Sequence, residues 1–246
     1  MPENFKPISN TPPYTFYGKI KFYGRTVLDL QLLTIYKDIK KVLPNYKGNV
    51  IDIGCGQSPY RFLLNKTRVK YYGIDIGDAE KFGYQNAEIT SFDGEHIPFE
   101  KEKFDAFLCT EVLEHVEKYQ ALANEMHRVL KNEGEGIITI PWSARYHYIP
   151  WDYFRYTPSS LRTIFSKFSL VQIKPRGTDI SVIGSKIIVL FFRNLLPPSL
   201  WKWLFVPVWI AMSPILLIAI LISHIALIFN LGSDEDPLGY TVLVKK

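Results

Sequence analysis

The chain has 246 residues, of which 47% are apolar and 15% aromatic, so it can bury a core, and intrinsic disorder is excluded for most of its length. Its net charge of +5 and its 22% of charged residues exclude a polycation that coats nucleic acid. The basic excess lies mostly before residue 48, where an anionic membrane leaflet, a phosphorylated substrate or an RNA could use it, or where it is simply a solvated face.

The two cysteines, Cys55 and Cys109, exclude a disulfide framework and a cysteine-based zinc site. No apolar stretch follows Met1, so we expect no cleavable secretory signal and a reducing cytosol around the folded part.

Residues 1–47 form an N-terminal lead-in followed by a helix. The segment 1–26 is aromatic, basic and broken by two prolines, which predicts an extended lead-in or lid. Apolar residues at helical spacing predict a helix over 27–43, which Pro44 ends.

Residues 48–175 alternate between strand and helix patterns, which predicts a doubly wound, mainly parallel sheet. Ser58 and Pro59 predict the start of a helix after the first strand, and helical spacing after the fourth strand continues until Gly134. Another helix is predicted over Ser159–Phe168. The predicted strands are Asn49–Ile53, Val69–Ile76, Ala87–Ser91, Phe104–Thr110, Gly136–Pro141 and Leu170–Lys174.

The composition changes in residues 176–238. No charged residue occurs from Trp203 to Ser233, and Ile215–Leu231 is nearly all aliphatic. As a helix that aliphatic run is about 25 Å long, against about 30 Å for the hydrocarbon of a bilayer. A last strand is predicted within 239–246, at Tyr240–Val244.

Glycines follow the first strand at Gly54 and Gly56, where they let the backbone approach a ligand. Asp75 ends the second strand, where an acid can accept both hydroxyls of a ribose; the bland alternative is a tight turn with a solvated aspartate. A dinucleotide fingerprint has a third glycine where this chain has Pro59, and proline offers no N–H to a pyrophosphate. A nucleoside ligand without phosphate, S-adenosylmethionine (SAM), therefore fits better.

Five motifs in order resemble those of class I SAM-dependent methyltransferases, most closely the type-11 methyltransferase domain, over roughly residues 48–175. The resemblance implies a Rossmann-like, seven-stranded sheet whose last strand is antiparallel. The motifs are Asp52-Ile53-Gly54-Cys55-Gly56, Asp75 with Ile76, Asp93-Gly94 with Ile97-Pro98-Phe99, Phe104-Asp105 with Thr110-Glu111-Val112-Leu113-Glu114-His115, and Arg128-Val129-Leu130-Lys131 with Gly134 and Gly136.

The same resemblance implies how the cofactor lies. The Asp52–Gly56 loop would hold the methionine part of SAM, Asp75 the ribose hydroxyls, and Asp93 the region of the adenine amine. Thr110 and Glu111 would border the methionine part. The sequence departs from many members after Gly56, where it reads Gln57-Ser58-Pro59-Tyr60-Arg61.

The segment 146–157 follows the fifth strand and leaves the sheet edge where ligands bind in open α/β folds. His147 and Asp152 are candidate general bases, and Arg155 is a candidate clamp for an anionic acceptor. The alternative is a self-packed loop in which Asp152 and Arg155 pair. The aromatic residues Tyr153 and Tyr156 are candidate acceptor contacts. His115, four residues after Glu111 on a predicted helix, is a third candidate base.

The apolar insert predicts contact with a membrane through residues 182–233. Because both flanking strands belong to one sheet, the insert must leave and return on one side, which favours a re-entrant or in-plane helical hairpin over a single span. Lys186, Arg193 and Lys202 would then lie at the headgroups. The alternatives are a true span over Ile210–Leu231, a dimer interface and an apolar lid.

These features together predict a SAM-dependent methyltransferase at the cytoplasmic face of a membrane, with a small, lipid or lipid-linked glycan acceptor. DNA is not expected as a partner, no metal is expected, and the apolar insert argues against RNA. The alternatives are an NAD-dependent Rossmann oxidoreductase and a non-catalytic, membrane-anchored SAM-binding module.

Overall fold

The structure, a computed structural model, describes residues 10–76, 89–197 and 199–246. Two helices precede the sheet, α1 (Phe16–Leu28) and α2 (Leu30–Val42). The Thr15 side chain caps α1 by accepting a hydrogen bond from Gly18 N, so the two prolines lie before this helix and do not interrupt it. The expected extended lead-in over 1–26 is therefore wrong from residue 16 onward, and its first nine residues lie outside the described part. The helix predicted over 27–43 is confirmed as α2.

In the described part of the chain, seven strands form one sheet in the order β3-β2-β1-β4-β5-β7-β6. β1 is parallel to β2 and β4, and β4 is parallel to β5, whereas β7 is antiparallel to both of its neighbours. The predicted doubly wound, mainly parallel sheet is confirmed. The strands are β1 (Gly48–Ile53), β2 (Val69–Ile76), β3 (Ile89–Phe92), β4 (Phe104–Thr110), β5 (Leu130–Pro141), β6 (Leu170–Arg176) and β7 (Gly239–Lys245).

Helices cover both faces of this sheet. On one face, Ile35 and Ile39 of α2 pack against Val50, Leu108 and Ile137. On the other face, α3 (Tyr119–Val129) and α4 (Pro158–Ile164) bury their apolar sides over the inner strands. The carboxyl ends of β1, β2, β4 and β5 therefore meet at one edge between two helical layers, which is where ligands bind in such folds.

Two expected helical segments differ from the structure. After β1 there is only a 3-10 turn, Arg61–Leu63, because Ser58 has a left-handed backbone (φ +52°) and so is not the extended N-cap of a helix. After β4, Glu111 is also left-handed (φ +53°), and a 3-10 turn, Leu113–His115, comes before α3. Gly134 does not end a helix, because β5 already starts at Leu130, opposite Phe104 of β4. Of the predicted third strand, residues 87 and 88 lie outside the described ranges.

In the described part of the chain, three α-helices and a 3-10 helix, Leu200–Phe205, lie between β6 and β7. The α-helices are α5 (Asp179–Leu195), α6 (Val206–Ala211) and α7 (Ser213–Phe229). α5 and α7 contribute Val182, Ile188 and Leu216 to a small apolar core that also contains Leu30 of α2. β6 ends at Arg176, which pairs with Gly239, the first residue of β7. The insert therefore leaves and returns at the same edge of the sheet, as the strand pairing required.

By length and apolar composition, none of the described helices is by itself a candidate membrane span. The alternative of a single span over Ile210–Leu231 is not supported, since α6 ends at Ala211 and α7 has 17 residues. The segments Asp179–Leu195 and Leu200–Ala211 pass the same criteria as a pair, with a bend of 116° between them.

Candidate functional site

The loop after β1 and the acid of β2 are bonded to each other. Asp75 Oδ2 accepts a hydrogen bond from Gly56 N at 2.7 Å, and its Oδ1 accepts one from Ile76 N at 2.8 Å. Gly54 has φ +67°, and a Cβ at this position would overlap the side chain of Val112, so only glycine fits. The sequence thus forms a glycine loop that is hydrogen-bonded to a mostly buried carboxylate.

Asp52 lies behind this loop and is only 2% exposed. The Tyr71 hydroxyl donates to Asp52 Oδ2 at 2.7 Å and also lies 2.8 Å from the Ser58 hydroxyl. Burial raises the pKa of Asp52 to about 7, with a further contribution from the charge of Asp75, while the Tyr71 hydrogen bond opposes the rise. Burial likewise raises the pKa of the Cys55 thiol, which is therefore not a thiolate at neutral pH. Tyr71 escaped the sequence analysis because nothing in its strand pattern marks its hydroxyl.

Asp93 and Gly94 follow β3, which pairs with β2. The Asp93 carboxylate is exposed and accepts hydrogen bonds from Glu95 N, His96 N and His96 Nδ1. These bonds, the His96 backbone N–H first among them, hold the pKa of Asp93 well below its ordinary value. Gly94 has φ +85°, a conformation that glycine adopts without strain. The predicted proximity of Asp93 to an adenine amine stays a prediction.

Thr110 ends β4, and Glu111 follows it at the same sheet edge. Arg176 Nη2, at the end of β6, lies 2.9 Å from Glu111 Oε1, and the Arg176 side chain is fully buried. Arg176 also donates to Ile140 O at 3.1 Å. Glu111 is therefore part of a partly buried ion pair that joins β4 to the start of the insert. No sequence pattern pointed to Arg176, since its partners are distant in the chain.

The acceptor segment 146–157 contains a bidentate ion pair. Arg155 Nη1 donates to Asp152 Oδ1 at 2.6 Å and Nη2 donates to Oδ2 at 2.8 Å. The Asp152 side chain is 1% exposed, and although burial opposes it, the hydrogen bonds from Arg155 and His147 N hold the pKa of this carboxyl below its ordinary value. A carboxylate held in this way is a poor proton acceptor, and a guanidinium already paired is a weaker clamp for an anion.

The two tyrosines of the segment differ in exposure. Tyr156 is buried, and its hydroxyl donates to Leu113 O at 3.0 Å, so it anchors the segment to the turn after β4. Tyr153 is 42% exposed and donates its backbone N–H to Glu114 O at 2.8 Å. Of the two, only Tyr153 offers a solvent-facing ring for an acceptor.

Two candidate bases, His115 and His147, lie side by side with their ring centroids 5.0 Å apart. They do not meet through a helix: Glu111 is left-handed and His115 ends a 3-10 turn, so the expected shared helical face of Glu111 and His115 is wrong. Burial lowers the pKa of His115 to about 4, which leaves this imidazole neutral at pH 7. Glu114 precedes His115, and its Oε1 lies 3.6 Å from His115 Nε2. Its carboxyl group is fully buried, and burial together with the charge of Glu111 raises its pKa well above the ordinary value. The sequence analysis quoted Glu114 in a motif but gave it no role.

The edge thus has two adjoining parts. One is the glycine loop with Asp75, suited to a nucleoside because that carboxylate has acceptor capacity left after two backbone hydrogen bonds. The other is the group of ionisable residues around His115 and His147. The roles predicted for Asp52, Cys55, Ile76, Gly94 and Thr110 toward the cofactor stay predictions.

Comparison with known proteins identifies a methyltransferase domain within the chain. The methyltransferase-domain family model of type 11 matches residues 51–138, which contain the glycine loop, Asp75, Asp93 and His115. A curated but uncharacterised protein of Methanocaldococcus jannaschii is 32% identical over 110 residues, which are 43% of this chain and 48% of that protein. The chain thus spans about half the length of this relative.

Two solved structures resemble the whole fold. A SAM-dependent methyltransferase from Archaeoglobus fulgidus has a TM-score of 0.54 at 17% identity, over 95% of this chain and all of that one. Phosphoethanolamine N-methyltransferase 2 of Haemonchus contortus, in complex with SAM, has a TM-score of 0.51 at 16% identity, over 86% of this chain and 51% of that one. At such identities the likeness shows the fold, and it agrees with the family match. The expected resemblance is confirmed: residues 51–138 match the methyltransferase domain of type 11, and the fold is the one that SAM-dependent methyltransferases have.

Proposed function

We propose that this chain binds SAM at the loop after β1 and transfers its methyl group to an acceptor held beside the segment 146–157. The observation that carries the proposal is the bond between Gly56 N and Asp75 Oδ2 inside the family-matched region. This bond holds the Asp75 carboxylate, which would accept hydrogen bonds from the ribose of SAM, next to the glycine loop, which would hold the methionine part of SAM. The Haemonchus contortus enzyme, which shares the fold, was solved with SAM.

A dinucleotide suits this edge less well. Pyrophosphate binds best at the N-terminus of a helix, where free N–H groups and the helix dipole face it. Between β1 and β2, the described chain has only the 3-10 turn Arg61–Leu63, and Pro59 lacks an N–H. This argues against the NAD-dependent alternative.

Transfer of a methyl group demands mainly positioning from the protein. When bound, SAM supplies an electrophilic methyl carbon, and in-line attack requires an acceptor atom held about 3 Å away. Tyr153, His115 and His147 follow the carboxyl ends of β4 and β5, and we expect them to orient the acceptor and exclude water. A hydroxyl acceptor also has to lose a proton, and Asp152 is committed to Arg155, which leaves the two imidazoles to receive it.

We further propose that the insert holds the site against the cytoplasmic face of a membrane. Large apolar side chains of α6, α7 and the turn before them face outward; Leu200 is 89% exposed and Leu204 80%. Helix α1 adjoins this surface, since His224 Nε2 of α7 lies 2.9 Å from Val27 O, and it exposes Phe16 and Tyr17. Contiguous apolar surface of this kind is typical of protein or membrane contacts, and the lysines of α1 suit an anionic leaflet.

A site held at a bilayer favours an acceptor that is itself part of the bilayer, such as a lipid or a lipid-linked glycan. The insert also contacts the chain just before the acceptor segment, since Lys186 Nζ of α5 donates to Ser143 O at 2.7 Å. Vesicle flotation tests the surface. The double variant Leu200→Glu with Leu204→Glu should lose binding to anionic vesicles. The control Leu170→Glu, at a half-exposed leucine of β6, should bind as the wild type does. Equal binding by the wild type, the double variant and the control would refute the membrane surface.

Labelled-methyl transfer tests the activity. With labelled SAM, label should enter total membrane lipids and not a soluble extract. Label in the soluble extract alone would keep the methyltransferase but refute the lipid acceptor. SAM binding without transfer to any fraction would favour the non-catalytic module.

A further inference from the structure

Glu114, His115 and His147 come together at the sheet edge next to the proposed methyl-transfer site. Each offers one ligand atom, and the three atoms lie within 4.8 Å of one another. The pair His115 Nε2 and Glu114 Oε1 is already 3.6 Å apart. Ligand atoms around a tetrahedral zinc ion are about 3.3 Å apart, so small rotations of the side chains would bring the set together.

Both imidazoles are held by their Nδ1 atoms. His115 Nδ1 is 2.6 Å from Trp151 O, and His147 Nδ1 is 2.9 Å from Arg145 O. A carbonyl oxygen only accepts hydrogen bonds, so Nδ1 carries the proton in each ring and Nε2 keeps its lone pair. Backbone carbonyls fix metal-binding histidines in this tautomer and orientation.

Glu114 provides the second, independent observation. Its side chain is fully buried, and neither carboxylate oxygen accepts a hydrogen bond. The nearby Arg155 is bonded to Asp152 through both terminal nitrogens. A buried carboxylate without a partner is costly, and a bound cation removes that cost.

We propose that Glu114, His115 Nε2 and His147 Nε2 bind one divalent first-row transition metal ion, with Zn²⁺ as the best fit. Two imidazoles and one carboxylate are a common ligand set for such ions. Three protein ligands leave a fourth position for water or for an oxygen of the acceptor, the arrangement of catalytic zinc sites. With a metal here, the two imidazoles would serve as ligands and no longer as proton acceptors. An acceptor oxygen bound to the metal would lose its proton more easily, so a separate base would be needed less.

Metal binding is measured without SAM, so the result does not depend on the proposed methyl transfer. The full chain is treated with a chelator and titrated calorimetrically with Zn²⁺ alone, and with Co²⁺ as an absorbing substitute. We expect one equivalent of Zn²⁺ and the visible absorption bands of four- or five-coordinate Co²⁺.

The variants His115→Ala, His147→Ala and Glu114→Gln should each weaken binding more than 100-fold, since loss of a mere outer partner already costs about 10–100-fold. The matched control is His127→Gln, at a histidine of α3 whose ring contacts Phe168 edge to face, and this variant should bind as the wild type does. Circular dichroism checks that each variant folds.

A measurement on the unaltered chain covers the case in which a variant fails to fold. On addition of Zn²⁺, the ¹⁵N signals of His115 and His147 should shift, and those of His96, His127 and His224 should not. The proposal is overturned if Zn²⁺ and Co²⁺ show no saturable binding, or if the shifts fall on the other three histidines.

Discussion

Gly56 N donates a hydrogen bond of 2.7 Å to Asp75 Oδ2, and this bond joins the loop after β1 to the end of β2. The two groups are 19 residues apart in sequence, yet the parallel pairing of β1 with β2 brings their carboxyl ends together. Asp75 therefore fixes the glycine loop, and under the proposed function it would also present an acceptor to a ribose.

Two replacements of Asp75 should weaken SAM binding to different degrees. Asp75→Asn keeps an oxygen for Gly56 N but loses the charge, and we expect roughly 10-fold weaker binding, the equivalent of about 1.4 kcal/mol. Asp75→Ala loses both functions and should cost 100-fold or more, about 2.7 kcal/mol. Isothermal calorimetry gives the affinities, with Glu133→Gln, at an exposed acid near the opposite edge, as the unaffected control. Undiminished affinity in Asp75→Ala would refute the site.

The stability contribution of Asp52 should fall as pH rises. Its pKa in the folded state is about 7, against 3.8 for an unperturbed aspartate, because burial penalises the charged form. The folded state thus holds this proton more tightly than the unfolded state, so the contribution is full below about pH 4 and is lost as pH rises through about 7. Between pH 5 and pH 8, the wild type should lose about 3 kcal/mol relative to Asp52→Asn in urea unfolding.

Asp105→Asn is the control for that pH series. Burial opposes the change, but the hydrogen bonds from Lys131 and Asn49 N lower the pKa of Asp105, so its contribution is lost only in acid. This variant should run parallel to the wild type between pH 5 and pH 8. A flat difference for Asp52→Asn as well would show that Asp52 is ionised throughout this range.

Arg176→Leu should destabilise the fold strongly. Its side chain is fully buried, and its loss leaves Ile140 O and the Glu111 carboxylate without this donor. Breaking a buried pair by removing one partner costs about 3–5 kcal/mol. Glu111→Gln should cost less, because the amide oxygen still accepts from Arg176. Arg128→Leu, which removes a half-exposed pair with Glu125, should cost about 1 kcal/mol or less; equal losses for Arg176→Leu and Arg128→Leu would contradict the buried pair.

Gly184→Ala should disrupt the packing of α5 on α7. A Cβ at Gly184 would fall on Ser223 Oγ and lie only 3.0 Å from Ser223 Cβ, so we expect a loss of about 1–3 kcal/mol in unfolding free energy. Adding Ser223→Ala should restore part of it. Gly24→Ala in α1 is the matched control: its Cβ meets nothing within 4 Å, so the higher helix propensity of alanine should stabilise by up to about 1 kcal/mol. A Gly184→Ala protein as stable as the control would show that α5 and α7 are not in close contact.

Much of the fold could be predicted because it follows from local patterns. Apolar runs between turn residues marked the strands, and the pairing of β6 with β7 at Arg176 and Gly239 required an insert that returns to its starting edge. The helices at the ligand edge could not be read in the same way. Ser58 and Glu111 adopt left-handed backbones that tertiary contacts impose, and no helical spacing reveals them.

The candidate site likewise contains some residues that local sequence patterns indicate and others that only tertiary contacts reveal. That Gly54, Gly56 and Asp75 lie together could be predicted, because they follow or end two adjacent parallel strands. Tyr71, Glu114 and Arg176 were assigned no role, since each acts through a partner that only the folded chain brings near: Asp52, His115 and Glu111. Asp152 was a candidate base, but in the structure its carboxylate forms an ion pair with Arg155. The sequence analysis had named this pairing as the alternative.

Calorimetric titration of the full chain with SAM and, separately, with NAD⁺ tests the central claim most directly. The account predicts saturable, 1:1 binding of SAM that Asp75→Ala weakens, and no heat from NAD⁺. Binding of NAD⁺ without SAM, or SAM binding that is indifferent to Asp75, would contradict it.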